Sequence, residues 1–155
     1  MSQLPLDGRR AIFTGGAKSL GLNFARHLAR AGARVALGDI ADGNDDAADI
    51  TAEAGRDCFF EHLDVGDPTS VQAFCVAVDT RWGGIDIRVN NAAIFATARL
   101  GPFEDGTADE WNRMLAVNVT GAFLLAKHAV GPMARNGFGR IVNIGSGTAH
   151  KGMPR

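Results

Sequence analysis

The segment Thr14-Gly15-Gly16-Ala17-Lys18-Ser19-Leu20-Gly21 follows a short apolar run and opens an amphipathic one. Glycines there let a backbone turn sharply and approach a diphosphate closely, and a following helix would face that anion with free N–H groups and a favourable dipole. Taken alone, the turn fits a plain tight connection between strand and helix equally well. Asp39 stands 18 residues after Gly21, closing the next apolar run, with Ile40 behind it. A carboxylate in that place accepts hydrogen bonds from both hydroxyls of an adenosine ribose and repels a phosphate on that sugar. An exposed loop aspartate is the plainer alternative for Asp39 read alone. Lys18 pulls the other way, since a cation beside the diphosphate would welcome a further phosphate. The expectation is that Asp39 dominates, which selects NAD over NADP.

Three more clusters close apolar runs: Asp64-Val65, Asn90-Asn91-Ala92-Ala93, and Ser146 at the end of RIVNIGS. A strand-end aspartate commonly caps a turn, and a strand-end serine is common as well. A double asparagine followed by two alanines is less ordinary after a buried strand. Asn118 lies inside a helical stretch, where asparagine is a poor former, so it has a reason to be there other than propensity.

The elements that would hold these residues alternate. Residues 9–14, 33–39, 58–65, 85–93 and 140–146 read as strands. Between them, 19–31 is an amphipathic helix with Leu20, Phe24 and Leu28 on its apolar side, beside Ala25 and Ala29. Residues 43–54 form a polar surface helix. Asp67-Pro68 opens a helix whose apolar face is Val71, Phe74, Cys75, Val78 and Trp82. Thr107 and Glu110 make a capping box for a long helix to about Ala134, which Pro132 should end or kink. Alternating strands and helices imply an α/β fold, a doubly wound parallel sheet of Rossmann type. Ligands then bind at the carboxyl ends of the strands, where the clusters lie.

Together, the glycine turn, Asp64-Val65, Asn90 through Ala93, Asn118 in VNVTGAF and Ser146 in RIVNIGS resemble the short-chain dehydrogenase/reductase family from about residue 6 onward. The resemblance implies one NAD(P)-binding domain over 1–155, truncated after the fifth strand. It implies that Gly15, Lys18, Ser19, Leu20, Gly21, Asp39, Ile40, Asp64, Val65, Asn91, Ala92 and Ala93 bind the cofactor, NAD. Ser146 would polarise the substrate oxygen, and Asn118 would help hold a water in a proton relay. The function implied is hydride transfer between NAD and a secondary alcohol or ketone, for example a 3-oxoacyl or a small cyclic or aromatic ketone. Residues 94–106 would wall the substrate, with Ile94, Phe95, Leu100 and Phe103 either contacting an apolar substrate or packing the loop. A dimer or tetramer is implied for the whole enzyme. A non-catalytic dinucleotide-binding module and a truncated product without function are the alternatives.

The sequence departs from the family pattern in four places. Ser19 stands where the family has its second glycine, and Ala93 where it has a glycine. Arg88 stands in a strand that should be apolar on both faces, so it must find a carboxylate or destabilise the sheet. The family's general acid–base is a tyrosine about thirteen residues after the serine, with a lysine about four residues later. That place falls just past Arg155, and the chain has no tyrosine. The chain alone is expected to be inactive.

A net charge of -1 with no basic stripe excludes a nucleic-acid reader. Cys58 and Cys75 form no CxxC and suit a reducing compartment, while the four histidines are scattered, so no metal site is expected. The N-terminus is polar and no apolar run approaches ~18 residues, so neither a leader nor a membrane partner is expected and a cytoplasmic protein is.

Overall fold

The computed structural model describes residues 4–95 and 102–147. Five parallel strands, β1 (Arg10–Thr14), β2 (Arg34–Asp39), β3 (Cys58–His62), β4 (Ile87–Asn90) and β5 (Arg140–Asn143), form one sheet in the order β3-β2-β1-β4-β5. The helices are α1 (Ser19–Arg30), α2 (Asn44–Ala54), α3 (Pro68–Trp82), α4 (Ala108–Leu115) and α5 (Gly121–Arg135). Strand alternation divides the core. Ala11, Phe13, Val35, Leu37, Ile87 and Val89 face Ala25, Ala29, Ala47 and Ile50 of α1 and α2. Ile12 and Ala36 face Val71, Phe74, Val78, Leu125 and Ala129 of α3 and α5. The sheet is doubly wound, as the alternation of elements predicts.

Local signals place the elements. Asp67 accepts a hydrogen bond from the Thr69 N–H at 2.9 Å with Pro68 in the first turn, and α3 buries the five predicted residues. Arg10 clamps the start of β1 to the residue before β4: its Nε and Nη2 donate to Asp86 at 2.7 and 2.8 Å. Burial alone would raise the Asp86 pKa, but the Arg10 bonds outweigh it and hold the carboxyl below its ordinary range.

Four expectations change. Helix α1 buries Gly21, Ala25 and Ala29 against the sheet, while Leu20 is 67% exposed. The cause is proximity: a Cβ on Gly21 would lie 2.0 Å from the Gly15 carbonyl oxygen, so only a stripe of small residues can face the strands. Helix α2 is not wholly on the surface, since Ala47 and Ile50 are buried. Pro132 does not end the long helix, which runs on to Arg135. That helix includes a π turn, Ala116–Thr120, so α4 and α5 form one rod, Ala108–Arg135. The rod is long and apolar enough to cross a membrane by length and composition, although no unbroken apolar run signals it. Its stripe of Gly121, Leu125, Ala129 and Met133, four residues apart, is buried, as on the inner face of a helix that packs on a sheet from one side.

Arg88 has no carboxylate partner among the described residues. It is 2% exposed in β4, in register with Ile12 and Ile141. One Nη donates to the Ala122 carbonyl at 2.6 Å, and Nε has no partner. Burial lowers its pKa.

Candidate functional site

Strand order reverses at β1, whose neighbours are β2 on one side and β4 on the other. The loops leaving β1 and β4 therefore diverge and open a crevice. Thr14 and Asn91 hold its base. The Thr14 hydroxyl accepts from the Asn91 and Ala92 N–H groups, each at 3.1 Å. Asn91 Nδ2 donates back to the Thr14 and Gly15 carbonyls, also at 3.1 Å. Gly15 has φ +67°, and a Cβ there would meet Ala92 Cα at 3.0 Å. Ala92 and Ala93 thus sit beside the glycine turn, and Ala93 carries no positive φ, so its departure from glycine is mild.

The turn fits a diphosphate. Lys18 is the N-cap of α1, yet no side chain caps the helix and its first turn holds no acid. The helix N-terminus is left with its N–H groups and dipole unopposed. Lys18, Ser19 and Leu20 are exposed at this end, and Gly21 is buried beneath it. Ser19 adopts φ +48°, so glycine's freedom is needed at the one turn position where a serine stands. Asp39 locks the turn to β2: Oδ2 accepts from the Ala17 N–H at 3.1 Å and Oδ1 from the Ala41 N–H at 3.0 Å.

Two cavities adjoin along Val65, Ala92, Ala93, Ile94 and Val117. The first, about 460 Å³, gathers Gly15, Asp39, Ile40, Asp64 and Val65 as the sequence suggests. Asp64 is fixed by accepting from the Gly66 N–H at 2.8 Å. Arg113, Ala116 and Val117 also line this cavity and were not foreseen. Arg113, Ala116 and Val117 share one helix face at spacings of three and four, but nothing in the sequence marks that face as the one lining a cavity.

The second cavity, about 610 Å³, brings Asn91, Asn118 and Ser146 together with Ile94 and Phe95. The Asn118 side chain is held at both ends of its amide: Oδ1 accepts from the Ile94 N–H at 2.8 Å, and Nδ2 donates to the Ile94 carbonyl at 3.1 Å. The π turn carries Asn118, and the Gly121 N–H reaches back to the Ala116 carbonyl there. Asn90 donates to Asn143, bridging β4 and β5 under the cavity, while its own Oδ1 is buried without a partner. Leu100 lies outside the described residues. Cys58 and Cys75 are pushed up to about 12 by burial and stay neutral thiols, so neither offers a nucleophile. Among the described residues no cluster of His, Cys, Asp or Glu suits a metal ion.

The family model for enoyl-(acyl carrier protein) reductase matches residues 15–155. A structure of a putative short-chain alcohol dehydrogenase from Sinorhizobium meliloti aligns with a TM-score of 0.86 and 33% identity, over 99% of this chain and 60% of that one. The chain belongs to the short-chain dehydrogenase/reductase family. Curated relatives include a 3-alpha-(or 20-beta)-hydroxysteroid dehydrogenase of Mycobacterium tuberculosis, 38% identical over 91% of this chain and 52% of that protein. A sorbitol dehydrogenase of Cereibacter sphaeroides is 38% identical over 95% of this chain and 56% of that protein. The chain spans about half the length of the curated relatives it matches. In this short-chain dehydrogenase/reductase chain, Gly15, Asp39 and Asp64 line one cavity, while Asn118 on the π turn and Ser146 past the end of β5 line the adjoining one.

Proposed function

We propose that the protein is an NAD-dependent oxidoreductase that interconverts a secondary alcohol and a ketone. The observation that carries this reading is the Asp39 carboxylate, held by two backbone N–H groups at the mouth of the glycine turn. A dinucleotide would lie with its diphosphate on the N-terminus of α1, its ribose on Asp39 and its base beside Asp64 and Val65. A bound nicotinamide would supply the hydride chemistry. Ser146 would donate a hydrogen bond to the substrate oxygen and polarise it. Two of the four hydrogen-bonding places of the Asn118 side chain go to Ile94, which fixes the amide and leaves one N–H and one lone pair to hold a water for proton transfer. The 155 residues contain no tyrosine, so they alone are expected to bind cofactor without turnover. Ile94 and Phe95 favour an apolar ketone as substrate. Homo-oligomeric assembly belongs to the same reading, supported by the uncovered apolar side of the α4–α5 rod.

Titration with NADH and NADPH, followed by nicotinamide fluorescence, tests the reading. NADH should bind at least about tenfold more tightly, given the like-charge repulsion at Asp39. Asp39→Asn should narrow that gap. Equal affinities in the parent protein would sink the assignment of Asp39 as selector.

A further inference from the structure

We infer that Arg113 is a specificity residue of this site, its guanidinium stacking on the adenine ring of the dinucleotide. The inference rests on the dinucleotide reading above. The cavity at the Asp39 end is lined by three carboxylates, Asp39, Asp64 and Asp67, together with Arg113, Ala116 and Val117. Arg113 is the only cation among its described lining residues.

Each carboxylate is held by backbone N–H groups. Asp39 takes the Ala17 and Ala41 N–H groups, Asp64 takes Gly66, and Asp67 takes Thr69. None reaches Arg113 within ion-pair distance, and the Arg113 side chain makes no hydrogen bond to any described residue. The obvious structural role, an ion pair across the cavity, is therefore not taken. The side chain keeps five N–H donors and a flat, weakly hydrated face for a ligand.

Position favours the base over the sugar or the diphosphate. Asp39 is bonded to the glycine turn and marks the ribose end. Asp64 lies further along the same cavity, suited to accept from an exocyclic amine. Arg113 shares its helical face with Ala116 and Val117, three and four residues on, so the arginine continues an apolar wall of small and branched residues. A planar, electron-rich ring against that wall is met by a planar cation, an attractive arrangement when partly desolvated.

The test uses the full-length protein with Arg113→Met and Arg113→Lys, titrated with NADH and with reduced nicotinamide mononucleotide, which lacks the adenosine half. Methionine keeps the aliphatic stem and removes the planar cation. Arg113→Met should weaken NADH by about 3- to 30-fold, the range of a cation–π contact. It should leave the mononucleotide affinity and the melting midpoint unchanged. Arg113→Lys should recover less than half of the loss, because a point charge does not stack. An unaltered NADH affinity in Arg113→Met, an equal loss for both ligands, or full recovery by lysine would each overturn the inference. Failure of the parent protein to bind NADH at all would instead overturn the dinucleotide reading, and this inference with it.

Discussion

At the scale of single residues, Ser19 is the costly one. A side chain at φ +48° meets the preceding backbone in a way glycine does not. Its hydroxyl earns no cap in return, since no side chain caps α1. Ser19→Gly should therefore raise unfolding free energy by about 1 kcal/mol, less what glycine's freer unfolded chain gives back. Urea denaturation measures it, and a fall in stability would mean the turn is not strained. Glycine's greater freedom there should also leave NADH binding intact. The cost was legible in sequence only as a condition, because the sign of φ at Ser19 is set by how the turn must pass between Gly15 and Gly21. The places of Asp39, Asp64 and Asn91 beside strand ends were legible, since each closes an apolar run with a group that bonds backbone. Arg113 was not, because nothing local distinguishes a surface arginine on a helix from one that lines a cavity.

At the scale of elements, β4 and the α4–α5 rod carry the deviations. Arg88 puts a guanidinium in the row Ala36, Ile12, Arg88, Ile141, with one hydrogen bond and one orphaned nitrogen. Replacing a poorly compensated buried charge with an apolar side chain of similar volume commonly gains ~1–4 kcal/mol. Arg88→Met should raise the thermal midpoint, and a lower midpoint would show that the bond to Ala122 outweighs the desolvation. The capping box at Thr107 and Glu110 and the start of α3 were readable because caps act over a few neighbouring residues. The π turn was not, since an extra residue in a helical turn leaves no compositional mark. Likewise, α1 reads as an amphipathic helix with a leucine face, yet the turn beneath Gly21 brings it so close that only alanines fit.

At the scale of the whole molecule, the uncovered surfaces decide behaviour. Trp111, Val119, Phe123 and Val130 on the rod are 61, 59, 63 and 52% exposed. All four residues of β5 are exposed, and Ile141 and Val142 are among them. Apolar patches and an unpaired strand edge of this kind drive association. The 155 residues on their own should therefore run as multimers or aggregates in size-exclusion chromatography with light scattering. A monomer with a single cooperative melt would contradict this.

What the sequence determined by itself was periodic or local: the alternation of strands and helices, the caps, and the small or polar residues that close each strand. These follow from side-chain direction and from backbone groups a few residues apart, which any chain segment carries with it. The tertiary structure alone decided what depends on distance between segments. It chose the small-residue face of α1, denied Arg88 a carboxylate, bonded the Asn118 side chain to Ile94, and brought Arg113 to the same cavity as Asp64. Those outcomes are contacts between residues far apart in the chain, and contact energies exist only once the sheet order β3-β2-β1-β4-β5 has brought the residues together.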